Sequence, residues 1–309
     1  NVPEAFKDQV DLAAHQKAAK YTVAKGKFNR FSSVFAMLLL LVWTLGGGLA
    51  LLSDAWATLA WSEMTTGIVF ILSFFVIGTL IDLPLSWYQT FVLEDRFGFN
   101  NNTRALFLSD TLKQTVLMLA IGAPLIWGAL VLMESTGDYW WLYLWAAWMA
   151  FALVMMWAYP AFIAPLFNKF TPLEDEQLKA RVEGLLARCG FKSQGIYVMD
   201  GSRRSGHGNA YFTGLGNNKR IVFFDTLLDT LDEDQIEAVL AHELGHFRRK
   251  HVLKNMAVMS LLSLVGLAVL GWASAESWFY TGLGVSTQSN AMALILFMLV
   301  ITVFSFFLH

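Results

Sequence analysis

Six apolar segments, each long enough to cross a bilayer as a helix, constrain the fold of this chain more than any other feature. A hydrocarbon core of roughly 30 Å requires about 20 apolar residues in helical form. The chain has only 15% charged residues, whereas an ordinary soluble domain has about 25%. The predicted spans cover residues 31–52, 66–92, 112–133, 139–167, 252–272 and 291–308.

The placement of Lys and Arg agrees with six spans and predicts their orientation. Cytoplasmic loops accumulate these residues, and short translocated loops exclude them. Residues 1–30 hold 6 of the 22, residues 93–113 hold 3, and residues 169–254 hold 13. The intervening connections hold none. This alternation predicts that residues 169–251 lie in the cytoplasm, and the net charge of −2 gives no reason to expect a nucleic-acid partner.

Four regions follow from these patterns. We expect a cytoplasmic N-terminal segment, a membrane bundle of four spans, a polar cytoplasmic segment and two further spans, at residues 1–30, 31–167, 168–251 and 252–309. The predicted fold class is a mainly α, polytopic membrane helical bundle with a small cytoplasmic α/β insert. The chain starts without Met and ends at His309 directly after an apolar segment, so we expect a fragment of a longer protein.

The polar segment reads as a small α/β unit. Thr171, Pro172 and Glu174 form a capping-box pattern that predicts a helix ending at Gly190. Two short strands are predicted next, and a second helix opens near Asp232 with Gln235 at its third position. The strands are Gly195 to Asp200 and Arg220 to Asp225, and the second helix continues to His251.

The second predicted helix contains the sequence His242-Glu243-Leu244-Gly245-His246. Side chains four residues apart share one helix face, so His242 and His246 are suited to bind one Zn²⁺. Glu243 is suited to act as the general base and acid that moves a proton from an attacking water to a leaving amine. The sequence therefore predicts a metalloprotease site with one zinc ion per chain.

A catalytic zinc takes three protein ligands, and the motif supplies two. Glu276 is the only acidic residue after His246, but the predicted topology places it across the membrane. His251 lies about 140° further round the helix than His246. We therefore expect the third ligand to lie beyond His309. Asp82, inside a predicted span, is expected to line a cavity rather than to take part in catalysis.

Several motifs together resemble the CAAX prenyl protease 1 family of integral-membrane zinc metalloproteases. They are Glu94 to Asn100 with Thr103, Ser205 to Phe212, Asn218 to Leu227, and His242 to His251. The resemblance implies a bundle of seven spans around an intramembrane chamber, and a zinc-binding Glu after the last span. It also implies that this chain lacks the first of those spans and that Glu.

The resemblance further implies that Asn209, Ala210 and Tyr211 run alongside a bound peptide as an edge strand, with His207 as a further candidate contact. In eukaryotic relatives the family removes three residues from prenylated CaaX proteins. The compact loops here look more like those of bacterial members, which implies an inner-membrane location and substrates from peptide or membrane-protein quality control. Expected partners are a peptide or protein substrate, prenylated or membrane-associated, and the lipid bilayer.

Two alternatives stay open from the sequence. One is a membrane scaffold or transporter whose motif helix no longer cleaves. The other is a soluble zinc protease with a simple anchor, which conflicts with six spans and alternating charge. Zinc content and peptide cleavage separate the first alternative from a protease, and reporter fusions in the 273–290 loop test the second.

Overall fold

The structure is a computed structural model, and it describes residues 12–191, 193, 195–213, 220–248 and 251–305. Within these ranges the side chains of residues 246–248, 251–253 and 304–305 are not described. The chain divides into two compact units. The first comprises residues 1–100, 111–140 and 269–309, and the second comprises residues 101–110 and 141–268.

The first unit is helical. Its helices are α1 (Leu12–Trp43), α2 (Gly48–Ala57), α3 (Glu63–Tyr88), most of α4 (Arg104–Ser135), α11 (Ser277–Thr281) and α12 (Asn290–Ser305). Helix α3 continues as a π-helical segment, Gln89–Glu94, and it packs against α2 and α12. Gly67 permits the close approach to α12, because a Cβ atom there would lie 3.1 Å from the Cβ of Ala291.

Within the described residues, four helical segments are long and apolar enough to cross a membrane: Glu63–Glu94, Arg104–Ser135, Gly137–Phe167 and Lys254–Ala273. They coincide with four of the six predicted spans. Their side chains are largely exposed on the chain itself, as shown by Leu80 (62%), Leu112 (66%) and Met259 (64%). Such apolar surface is suited to contact with lipid. The chain is a polytopic membrane helical bundle, as the sequence predicted.

The two remaining predicted spans differ from expectation. The span predicted at residues 31–52 corresponds to two helices, because α1 and α2 meet at a bend of 49° in a Gly-rich turn where Gly47 has a φ of 78°. The expected boundary at residue 30 falls inside α1, whose polar first half continues directly into its apolar half. The last span corresponds to a shorter apolar helix, Asn290–Val303, and residues 306–309 lie outside the described ranges.

The second unit contains the remaining helices and a four-stranded sheet. The helices are α5 (Trp140–Ala158), α6 (Ala164–Phe167), α7 (Glu176–Arg188), α8 (Asp225–Thr230), α9 (Glu233–Arg248) and α10 (His251–Ala273), with a π-helical segment, Tyr159–Ile163, between α5 and α6. Trp145 on α5 donates a hydrogen bond to the Ser260 carbonyl on α10 at 3.0 Å. The indole thereby fixes these two apolar helices side by side.

The sheet has the order β1-β2-β4-β3, with β1 (Phe170–Pro172), β2 (Ile196–Met199), β3 (Ala210–Thr213) and β4 (Arg220–Phe224). Strands β2 and β4 are parallel, and β1 and β3 are antiparallel edge strands. One sheet face is buried against α7, α8 and α9, with Ile221 and Phe223 at 0% exposure. The two strands predicted from the sequence are confirmed, whereas β1 was not foreseen.

The predicted helix start at Thr171 is wrong. Thr171 and Pro172 belong to β1, which pairs with β2. Helix α7 begins at Glu176 instead, because the Asp175 carboxylate accepts hydrogen bonds from the main-chain N–H groups of residues 177 and 178, both at 3.0 Å. The predicted end is confirmed, since Gly190 follows the helix with a φ of 65°, which only glycine adopts without strain.

Candidate active site

Helix α9 forms for reasons that are visible in its first turn. The Asp232 carboxylate accepts from the N–H of Gln235 at 2.9 Å, and the Gln235 side chain accepts from the N–H of Asp232 at 3.1 Å. This reciprocal pair is a capping box, and it begins the helix that the sequence predicted near Asp232. Ile236, Leu240 and Leu244 then follow at one-turn spacing and are 2%, 0% and 3% exposed. These three side chains fix which face of α9 points to the sheet.

The motif residues occupy the other sides of the helix. At about 100° per residue, His242 lies on the side opposite Leu240, and its side chain is exposed. Glu243 lies on the flank and is half-buried. Position 246 follows His242 by one turn of continuous helix, and the His246 side chain lies outside the described part of the structure. The helix therefore presents His242 away from the core and holds Glu243 at the edge of the buried face.

The first half of α9 is tied to α7 through Arg181. Its guanidinium contacts Glu233 at 3.1 Å, Glu237 at 2.8 Å and also Asp234. Arg188 adds a second contact to Glu237 at 2.7 Å. The hydrogen bonds from Arg181, and then those from Arg188, lower the pKa of the Glu237 carboxyl. These ion pairs hold the motif helix on α7 by contacts that do not involve the motif itself.

Strand β3 is an edge strand that contacts α9. The Phe224 N–H donates to the Asn209 carbonyl at 2.9 Å, so main-chain groups of alternate residues from Asn209 face β4. The main-chain groups of Ala210 and Phe212 face the other side of β3. Among the described residues, no strand pairs with β3 on that side, so it is an open edge. The Asn209 side chain accepts from the Ala210 N–H at 2.9 Å. The remaining groups on this edge are suited to pair with an extended peptide.

Hydrogen bonds to main-chain groups hold the loop before β3 in place. The Thr226 hydroxyl donates to the His207 carbonyl at 3.0 Å, and the His207 N–H donates to the Ser205 hydroxyl at 3.3 Å. A Cβ atom at Gly208 would lie 3.1 Å from the main chain of Leu227, so the loop runs close to α8. The side chains of His207 and Asn209 are exposed.

The structure thus brings some predicted site residues together. His242 and Glu243 are on α9, and Ala210 and Tyr211 are on the strand that this helix contacts. His251 begins α10, and its side chain is outside the described set. Glu276 precedes α11 in the other unit. Among the described residues, no group of three His, Cys, Asp or Glu side chains is arranged to hold a metal ion.

The donor set of α9 nevertheless fits zinc. The helix is continuous from Glu233 to Arg248, so positions 242 and 246 keep the four-residue spacing that two imidazole ligands require. Neutral imidazole is a preferred zinc ligand, and neighbouring carboxylates are the usual proton acceptors in such sites.

An ion pair that the sequence did not predict holds the segment that leads into β3. Arg204 donates from Nε to Asp110 at 2.7 Å, from Nη1 to the Asn168 side chain at 2.8 Å and from Nη2 to the Phe167 carbonyl at 2.6 Å. Asp110 is only 8% exposed. The partners lie far apart in the sequence. An aspartate near the start of an apolar segment was the only available signal, and it did not identify a partner.

Comparison with known proteins agrees with both halves of this architecture. Residues 1–169 match the family described as CAAX prenyl protease N-terminal, five membrane helices, and residues 172–308 match Peptidase family M48. The chain belongs to the CAAX prenyl protease branch of peptidase family M48. The second match covers strands β2 to β4, α9 and the motif of this M48 chain.

Relatives of this M48 chain include CAAX prenyl protease 1 of Saccharomyces cerevisiae, 39% identical over 84% of this chain and 60% of the relative. The Arabidopsis thaliana homolog is 40% identical over 71% of this chain and 52% of the relative. The chain thus spans between half and two thirds of the length of these relatives. The crystal structure of S. mikatae Ste24p matches 98% of this chain and 75% of that one, with a TM-score of 0.90 and 33% identity.

Proposed function

We propose that this chain carries the catalytic base and two zinc ligands of a membrane-embedded zinc metalloendopeptidase. The observation that carries the proposal is the continuous helix α9, which carries His242 and Glu243 and contacts the open edge strand β3. The relatives are named as CAAX prenyl proteases. Those names support a peptide substrate that is prenylated or membrane-associated, and the bilayer as the surrounding medium.

His242 and His246 would hold the metal. A bound zinc ion supplies Lewis acidity, which lowers the pKa of a water molecule and polarises a peptide carbonyl. Glu243, half-buried on the flank of α9, takes the proton from the attacking water and later delivers it to the leaving amine. We propose a Glu beyond His309 as the third ligand, following the resemblance of the motifs.

The peptide would lie along β3. The Ala210 carbonyl and the main-chain groups of Phe212 on the open edge would pair with an extended substrate, while Asn209 and His207 offer exposed polar side chains just before the strand. Pairing through the main chain tolerates many side chains, so specificity must come from neighbouring pockets. Tyr211 contributes through its place in the strand, because its side chain lies on a sheet face rather than at the edge.

The distribution of Lys and Arg supports a cytoplasmic position for this site. Compact loops favour a bacterial inner membrane over the endoplasmic reticulum, with peptide or membrane-protein quality control as the role. Reporter fusions in the 273–290 loop test the orientation, because that loop is predicted to be translocated.

Zinc content and cleavage of a reporter peptide by the full-length protein test the proposal together. We expect about one zinc per chain and cleavage that stops when the metal is removed by a chelator and returns with added zinc. His242→Ala should lower the zinc content, and the exposed control Glu183→Gln should leave it unchanged. Stoichiometric zinc without cleavage of any peptide would instead favour the scaffold or transporter.

A further inference from the structure

A small cavity lies in the second unit, on the sheet face opposite the buried core. It measures about 100 Å³ and lies between the π-helical segment Tyr159–Ile163 and strands β1 to β4. Tyr197 and Tyr211 flank Val222 in cross-strand register and form its floor. Its volume is several times the roughly 10–15 Å³ that one water requires. The cavity can therefore hold a small polar group such as a phosphate.

The charge of the lining selects for an anion. Among the described residues that line the cavity, none is Asp or Glu, and Arg220 is the only charged one. The guanidinium of Arg220 lies 5.4 Å from the centre of the Tyr197 ring. Among the described residues, no carboxylate lies within ion-pair distance of it, whereas Arg181 and Arg204 are each paired with carboxylates. Arg220 thus offers its N–H donors to a ligand.

Tyrosine hydroxyls add neutral donors. Tyr159, Tyr197 and Tyr211 all line the cavity. Burial, followed by the proximity of Tyr159, raises the pKa of the Tyr211 hydroxyl above its ordinary value. The hydroxyl therefore stays protonated at neutral pH and can donate to an anionic oxygen. Arginine together with neutral donors is a common arrangement for phosphate recognition.

The position along the chain identifies the source of the phosphate. The cavity is formed where the apolar segment Gly137–Phe167 ends and the sheet begins at Phe170. Tyr159 lies about two turns before the end of this segment, and Tyr near the end of a membrane span lies close to the depth of lipid headgroups. Arg220, Tyr197 and Tyr211 reach the same cavity from the strands. We propose that this cavity binds the phosphate of an anionic phospholipid headgroup, with Arg220 as its charged contact and the three tyrosines as neutral ones.

Lipid binding to the full-length protein tests this proposal. The protein carries Glu243→Gln, so the result does not depend on proteolysis. Native mass spectrometry in detergent compares phosphatidylglycerol with phosphatidylcholine of matched acyl chains. We expect Arg220→Gln to weaken phosphatidylglycerol binding by about tenfold or more, since a hydrogen bond to a charged group is lost. The matched control Arg203→Gln, at an exposed position, should change binding less than about twofold.

If Arg220→Gln does not fold, Tyr159→Phe provides a second test, because it removes one hydroxyl and no charge. We expect Tyr159→Phe to weaken phosphatidylglycerol binding several-fold. Equal phosphatidylglycerol binding by Arg220→Gln and Arg203→Gln would overturn the proposal. Arg220-dependent binding of inorganic phosphate as tight as that of the lipid would assign the site to soluble phosphate instead. Competition by a peptide with a free C-terminus, but not by its amide, would assign it to a peptide carboxylate, and each of these results contradicts a lipid site.

Discussion

Arg181 and Glu237 lie 2.8 Å apart, from Nη2 to Oε2, and this contact joins α7 to the helix that carries His242 and Glu243. Arg181 also reaches Glu233 and Asp234 one turn earlier. The motif helix is therefore anchored at its N-terminal half by the guanidinium groups of Arg181 and Arg188, and along its buried face by apolar side chains. The side of α9 that carries His242 takes no part in these contacts and remains exposed.

Replacing Arg181 should loosen α9 without touching the motif. Arg181→Gln removes the ion pairs to α9, so we expect hydrogen exchange of the α9 amides to become several-fold faster, on the order expected for local opening. Exchange measured by mass spectrometry checks this. Lys179→Gln is the matched control, because the ion pair that Lys179 makes among the described residues lies within α7, with Glu176 at 3.1 Å. Equal acceleration in both variants would contradict the anchoring role.

The stability of this contact should depend on pH in a defined direction. The hydrogen bonds from Arg181 lower the pKa of Glu237 in the folded state below its unfolded value, which is about 4.3. Stabilisation is thus fully present above the unfolded value and is lost as pH falls through the lower folded value. The difference in thermal midpoint between wild type and Glu237→Gln should therefore vanish in acid. A difference in thermal midpoint that grows as pH falls would contradict this prediction.

Removing one partner of the Arg204–Asp110 ion pair should destabilise the protein more than replacing both residues with apolar ones. The two side chains are 22% and 12% exposed, and removing one partner of a buried pair costs about 3–5 kcal/mol. Arg204→Met should therefore destabilise the protein more than the double variant Arg204→Met with Asp110→Leu. Denaturation of the single variants Arg204→Met and Asp110→Leu and of the double variant measures this, and additive losses would show that the two residues do not act together.

Asn209 offers a test of the proposed peptide edge. Its side chain accepts from the Ala210 N–H at 2.9 Å and is exposed next to the open side of β3. We expect Asn209→Ala to raise KM several-fold, on the scale of one lost hydrogen bond, and to leave zinc content unchanged. Steady-state kinetics check this against Asn29→Ala, an exposed position in the other unit. An unchanged KM would remove Asn209 from the substrate site.

Much of the fold was predictable because its signals are local. Four spans matched because hydropathy decides membrane helices over a window of about 20 residues. The bend after Trp43 was missed because hydropathy continues across the glycines of the turn. Thr171 and Pro172 read as a helix start, yet they pair with β2. A tertiary contact overrode the capping pattern there, and Asp175 capped the helix instead.

The site was predictable only in part. Asp232 and Gln235 reveal the start of α9, and the four-residue spacing reveals the motif. Strand β3 is four residues long and depends on register with β4, so the residue pattern alone could not identify it as an edge. The contacts of Arg181, Arg204 and Arg220 come from distant segments. Nothing in local sequence indicates which carboxylate or ring a given arginine meets.

The most direct test of the account is the turnover of a reporter peptide by the full-length protein with Glu243→Gln. The change keeps the size of the side chain and leaves His242 and His246 in place, so we expect normal zinc content and peptide binding. We expect kcat to fall by about two to four orders of magnitude, the usual contribution of a general base, while Glu183→Gln cleaves normally. Wild-type turnover by a zinc-loaded Glu243→Gln enzyme would contradict the assignment of Glu243 as the base.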